Sequence, residues 1–137
     1  MKPLFLLAIA LLLTASTALA DEGELELAQD LALSWLALTD DGQFDSSWND
    51  ASTFFQAAIS ESAWVSALSA ARSSFGGLKS RKIIASTFSK TLPDAPNGTY
   101  IIFEFDTAFE KQVSARETLA MIKVGGDVWR VAAYIIN

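Results

Sequence analysis

Apolar residues recur at helical spacing along the first part of the chain and at every second position along the last part, and the change falls at Gly76-Gly77. From Glu24 to Thr39, Leu25, Ala28, Leu31, Ala32, Trp35 and Leu36 form one stripe, with Glu26, Gln29, Asp30 and Ser34 elsewhere on the wheel. This pattern predicts an amphipathic helix with a broad buried face. Asp40-Asp41-Gly42 ends it, because glycine supplies the left-handed conformation that helix ends commonly take. Phe44 and Trp48, one turn apart, predict a short second helix, and Ser52 is placed to cap a third that carries Phe54, Phe55, Ala58 and Ile59. Ser60-Glu61-Ser62 opens a fourth, with Trp64, Leu68, Ala71 and Phe75 on one side and Gly76-Gly77 as its stop.

Past Gly77 the period changes. Leu78 to Leu92 is rich in β-branched and basic residues and predicts a strand whose alternation is broken at Ile83-Ile84. A turn follows at Pro93-Asp94-Ala95-Pro96-Asn97-Gly98. Thr99 to Phe109 alternates cleanly, with Ile101, Phe103, Phe105 and Phe109 on one face and Tyr100, Ile102, Glu104 and Asp106 on the other. Val113 to Val124 predicts a third strand, with Ala115, Glu117, Leu119 and Met121 on one side and Arg116, Thr118, Ala120 and Ile122 on the other. Gly125-Gly126-Asp127 turns into a last strand. There, strict alternation sets Trp129, Val131, Ala133 and Ile135 against Val128, Arg130, Ala132, Tyr134 and Ile136. Trp129 and Arg130 are thus expected to serve opposite faces, with Tyr134 on the side of Arg130. Helices first and strands afterwards predict an α+β domain, N-terminal helices packed on a curved four-stranded antiparallel sheet. Both rows of the last strand are largely apolar, so a short helix or a second copy of the chain is expected to cover the outer one.

Composition adds destination and exclusions. Residues 1–20 pair one basic residue, Lys2, with an apolar run from Leu4 to Leu13 and a small-x-small end at Ala18-Leu19-Ala20, the three parts of a secretory signal peptide. The run is shorter than the ~20 residues that span a bilayer, so cleavage near Ala20 and export to a periplasm or beyond are expected, with residues 21–137 as a single domain. Without Lys2, nine basic face sixteen acidic side chains, a balance that disfavours nucleic acid and anionic membrane surfaces as partners. The chain has no cysteine and no histidine. Disulfides, a Ser-His-Asp triad, Cys or His nucleophile/base pairs and most transition-metal ligand sets are therefore excluded. Asp40-Asp41-Gly42-Gln43-Phe44-Asp45 lacks the ligand spacing of a calcium loop, so neither a metal nor a cofactor is expected. Asn97-Gly98-Thr99 matches a glycosylation sequon but reads as part of its turn.

The order of elements and a spaced residue set also carry a resemblance. Trp35, Asp40-x-Gly42-x-Phe44, Ser47-Trp48, Trp64, Arg72, Gly76, Arg81, Tyr100, Phe109, Glu117, Trp129-Arg130-Val131 and Tyr134 are similar to an uncharacterised bacterial exported family, domain of unknown function 4019. The helices followed by a four-stranded meander resemble the nuclear transport factor 2-like (cystatin-like cone) superfold. The resemblance implies a fold, export and a symmetric dimer; it implies no activity, because that superfold hosts isomerases, dehydratases, transport factors and oligomerisation modules alike.

The polar residues with chemical potential lie mainly among the strands: Arg81, Glu117 and Arg130, with Tyr100, Tyr134 and Trp48 as neighbours. In the cone pocket of the resembled fold they would bind a small-molecule ligand, an arginine gripping a carboxylate. Three functions follow. One is a non-enzymatic exported domain that binds a small molecule or a protein partner through the pocket or the sheet face. Another is an isomerase or dehydratase, with Glu117 or Asp106 as base and Tyr100 or Tyr134 as acid. The third is a structural periplasmic homodimer. A plainer alternative, which the lack of any second catalytic motif favours, pairs Glu117 with an arginine at the sheet surface or rim to fix strand register. Trp35, Trp48, Trp64 and Trp129 are likewise better read as core pieces than as an aromatic cage.

Overall fold

A computed structural model describes residues 22–137, so the signal peptide expected over residues 1–20 lies outside the described residues. Residues 22–40 are helical (α1). They bury Ala28, Ala32, Trp35, Leu36 and Thr39, while Leu31 and Leu25 fall at the margins of the stripe. Alanine at 28 and 32 lets the helix backbone lie close to the sheet. Gly42, at φ 77°, turns the chain into α2 (Phe44–Asp50). Two serines start the next helices as expected. Ser52 Oγ accepts the amide of Phe55 at 3.1 Å to open α3 (Thr53–Ala58), and Ser60 Oγ accepts that of Ala63 at 3.3 Å to open α4 (Glu61–Phe75).

The buried stripe of α4 differs from expectation in one position. Trp64 and Leu68 are followed, one further turn on, by Arg72 rather than by Ala71, and Phe75 is only half-buried. Gly76 ends the helix at φ 78°, where a side chain would be strained and its Cβ would stand 3.1 Å from that of Glu110. The amides of Glu110 and Lys111 then bond to the carbonyls of Gly77 and Phe75 at 2.9 and 2.8 Å, stitching the end of α4 to the sheet.

The four strands, β1 (Leu78–Ser89), β2 (Tyr100–Phe109), β3 (Ala115–Gly125) and β4 (Val128–Ile136), pair antiparallel in the order β1-β2-β3-β4. β1 is three residues shorter than the pattern suggested. The break at Ile83-Ile84 is a bulge: Ile83 pairs with Phe105 and Ala85 with Glu104, leaving Ile84 as the extra residue. A second irregularity lies at Lys79, and two more at Val124 and Ala132. Bulges bend a strand and increase its twist, which curves this sheet around the helices. The inner face presents Ile101, Phe103, Phe105, Leu119, Met121, Trp129 and Val131 to Trp35, Leu36, Phe55, Trp64 and Leu68.

The bulge at Ala132 overturns the strict alternation expected for β4. Ala133 pairs with Ala120 but Val131 with Met121, so one extra residue shifts the phase of the strand. Before it Trp129 and Val131 point inward; after it Tyr134 points inward too, packing 5.4 Å from Trp35. Tyr134 therefore shares the face of Trp129 instead of opposing it. On the outer face of the sheet, the β1–β2 turn closes over Tyr100 of β2 and Ile122 of β3. Ile135, further along, is 59% exposed.

Candidate functional site

The four strands converge on one fully buried carboxylate. Glu117, on the inner row of β3, has no solvent exposure and carries four hydrogen bonds. Its Oε1 accepts from Arg81 Nε at 2.7 Å and from Thr107 Oγ1 at 2.6 Å. Its Oε2 accepts from Arg81 Nη2 at 3.3 Å and from the Tyr134 hydroxyl. A carboxylate offers about four lone-pair sites, and all are taken. β1 brings Arg81 opposite Thr107 of β2, and the bulged β4 brings Tyr134 opposite Leu119, two register positions from Glu117 and on the same face.

The network continues into the helices. Arg81 Nη1 and Nη2 donate to Asp40 Oδ2 and Oδ1 at 2.8 and 3.0 Å, so one guanidinium forks onto two carboxylates. Arg72 Nη1 donates to Asp40 Oδ1 at 3.0 Å and to Thr39 Oγ1 at 3.2 Å, and its guanidinium lies 4.7 Å over the ring of Phe109. Two arginines thus face two acids in a charge-balanced knot, the arrangement that burial of ions demands. Burial works to lower the pKa of Arg81, but its hydrogen bonds to Asp40 and Glu117 and their charges outweigh it and raise the pKa. Tyr134 is pushed well above the ordinary phenol by burial, then by the charge of Glu117 and the hydrogen bond to it. Both groups hold their protons across the physiological range.

Of the six residues singled out in the sequence, Arg81, Glu117 and Tyr134 meet here. The other three do not. Tyr100, buried on the outer row of β2, donates its hydroxyl to the carbonyl of Pro96 and holds the β1–β2 turn. Trp48 donates its indole N–H to Ile59 O at 2.9 Å and braces α2 against the start of α4. Arg130 is exposed, opposite Ile122 on the outer row. Asp106, the alternative base, is also exposed and pairs with Arg116 at 3.3 Å on the outer face. The expected arginine–glutamate pair exists, yet it lies in the interior and not at a rim, because the bulges curve the strands over it.

Asp40, Arg72, Thr39 and Thr107 complete the knot without having been assigned to it. Arg72 had a visible signal in its spacing of four from Leu68 and eight from Trp64. Thr107 lies on the inner row of β2 between Phe105 and Phe109. Asp40 reads in sequence as a helix stop, and nothing local marks it as the acid that bridges two arginines.

Among the described residues no open cone lies above the knot. Trp35, Trp64 and Phe55 fill that space against Tyr134, with Phe55 and Trp64 4.9 Å apart edge to face. The tryptophans are core pieces, and three of their indole donors are paired: Trp35 with Ser47 O at 2.8 Å, Trp64 with Ser47 Oγ at 2.9 Å, and Trp48 as above. The fourth is not. Trp129 is 3% exposed and its Nε1 has no partner among the described residues. An unpaired buried donor costs roughly 1–3 kcal/mol. Trp129 lines a groove of about 240 Å³ where β4, the edge strand, runs beside α1, together with Leu31, Trp35, Leu38, Met121 and Val131. Ser34, Asp50 and Arg130 add polar groups to it. Trp129 and Arg130 lie on opposite faces of β4, as the alternation predicts, and at the sheet edge one groove borders both.

Among the described residues, no group of three or more acidic side chains is placed to hold a metal ion. Compared with protein families, residues 31–134 match the one described as "Protein of unknown function (DUF4019)". No curated protein matches the chain.

Proposed function

We propose, on the premise that this chain belongs to the family of unknown function DUF4019, that it is a non-catalytic binding domain of the exported compartment, built as a nuclear transport factor 2-like cone with a filled interior. The observation that carries this reading is the saturation of Glu117. A general base needs a free lone pair within reach of a substrate proton, and all four positions on this carboxylate are occupied by Arg81, Thr107 and Tyr134. Tyr134, held protonated and donating to that same carboxylate, is equally unable to serve as the acid. What remains for function is surface: grooves and faces that bind. A signal peptide over residues 1–20, cleaved near Ala20, accounts for the route outward.

Native mass spectrometry of the protein purified from its own exported fraction tests the reading. A small molecule or a partner protein retained at fixed stoichiometry is expected. Bare protein from every preparation, together with turnover of any carbonyl or hydroxy-acid substrate that Glu117→Gln abolishes, would overturn it. A second reading is favoured by Val128 and Ile135, apolar and exposed on the same outer face. It is self-association through that face; sedimentation velocity at micromolar concentration then gives a dimer, and a clean monomer removes it.

A further inference from the structure

Resting on the binding-domain reading, we infer that the groove between α1 and the edge strand β4 is the ligand site, and that its ligand is a small amphipathic carboxylate. The unpaired indole carries the inference. Three of four tryptophan donors in this protein are satisfied by protein acceptors; of the two tryptophans that line the groove, Trp35 is paired with Ser47 O and Trp129 is the exception. A buried donor without an acceptor is the complement of a ligand that brings one. Leu31, Leu38, Met121 and Val131 supply apolar walls, which asks for an apolar body on the same molecule.

Charge at the groove selects the acceptor. Lys123 lies 5.9 Å over the Trp129 ring, but it is committed to Glu24 of α1. Arg130 makes no ion pair among the described residues and contributes to the groove from β4, beside Trp129. A cation and an N–H donor on neighbouring residues suit a carboxylate. Asp50 contributes from α2 and repels an anion there, which keeps the charged end of the ligand on the strand side. Trp129 Nε1 has no solvent exposure, so entry requires the lining to yield. Leu31, 37% exposed, and Arg130 are the side chains free to swing.

Octanoate is the probe, with octanol and octylamine as controls. The four tryptophans give one indole N–H signal each in a ¹⁵N–¹H correlation spectrum. Octanoate is expected to move the Trp129 signal downfield in a saturable titration and to leave those of Trp35, Trp48 and Trp64 in place; octylamine is expected to move none. Arg130→Gln, a change at an exposed position, weakens octanoate about tenfold and leaves octanol unchanged, and Trp129→Phe weakens octanoate by calorimetry to a similar degree. Absence of a saturable Trp129 shift at millimolar octanoate overturns the inference, as does an affinity indifferent to both substitutions. The two readings fail separately. A molecule retained in native mass spectrometry alongside a silent Trp129 sinks only this site, whereas turnover dependent on Glu117 sinks the binding-domain reading whatever Trp129 does.

Discussion

The inner face of the sheet ends in two different ways. At the Glu117 end, six elements contribute side chains and every oxygen of two acids is engaged. At the Trp129 end, an equally buried donor has no acceptor. The first region is rich in charge and closed at both carboxylates, with Arg72 Nε its one buried donor left without a partner among the described residues, and the second is almost apolar yet incomplete. Ionisable residues alone would point to the wrong end, because pairing decides whether a polar group is available to a ligand. A knot with saturated carboxylates does the work of a clasp, holding α1 and α4 to all four strands, and an unpaired donor beside a groove leaves an acceptor to be supplied.

Four measurements press on that contrast. The largest effect is expected from Glu117→Ala, which strands Arg81, Thr107 and Tyr134 in the interior. Urea denaturation should show a loss of about 3–5 kcal/mol, and the double replacement Arg81→Met with Glu117→Leu should recover a good part of it, since Asp40 and Arg72 remain a neutral pair. A smaller loss from the single change than from the double one would mean the knot is not a clasp.

Alkaline pH acts on the same end. The pKa of Tyr134 is raised in the folded protein, so the folded state holds its proton where the unfolded chain releases it. The contribution is fully present below the unfolded value of ~10 and is lost as pH rises above it, at up to about 1.4 kcal/mol per pH unit. Tyr134→Phe should flatten that slope in denaturation curves taken between pH 9 and 11. An unchanged slope would place the titrating group elsewhere.

Ser52→Ala comes next. It removes the cap of α3 and should cost about 1 kcal/mol, measurable as a lower melting temperature. The amide of Ser52 would keep its 2.9 Å bond to Val131 O, so a larger loss would show that the hydroxyl also supports β4.

The finest comparison is between two tryptophans. Trp35→Phe orphans the carbonyl of Ser47, whereas Trp129→Phe removes a donor that has no partner. Both lose similar ring area, so Trp129→Phe should cost about 1 kcal/mol less than Trp35→Phe. Equal costs would mean that the Trp129 indole is satisfied after all.

Much of the fold was legible because local rules act alone there. Ser52 and Ser60 mark helix starts, Gly42 and Gly76 mark stops, and the alternation of Ile101, Phe103 and Phe105 fixes the inner face of β2. The site was legible in part. Arg81 and Glu117 stood out as charges on strands with apolar neighbours. Tyr134 was named for its chemistry but assigned to the wrong face, because a bulge leaves no mark in a run such as Val131-Ala132-Ala133. Asp40 and Arg72 were hidden for another reason: each has a sufficient local role, helix stop or helix surface, and only tertiary folding shows that they serve one another. The groove was not legible at all, since it depends on how closely α1 lies beside an edge strand.

Ala132 has a consequence that substitution experiments would miss. Its methyl group has little to contribute, and exchange for serine or glycine alters no charge. What it supplies is a count. Were Ala132 to pair in register instead of standing out as a bulge, the rest of β4 would slip by one place, sending the Tyr134 hydroxyl to solvent and Ile135 opposite Glu117. In this chain a spacer sets the punctuation of the strand: over Val128–Ile136 the clasp requires that one residue stay out of the pairing, so a bulge that straightens is a heavier change than the loss of Ala132 itself, which would leave Tyr134 opposite Leu119.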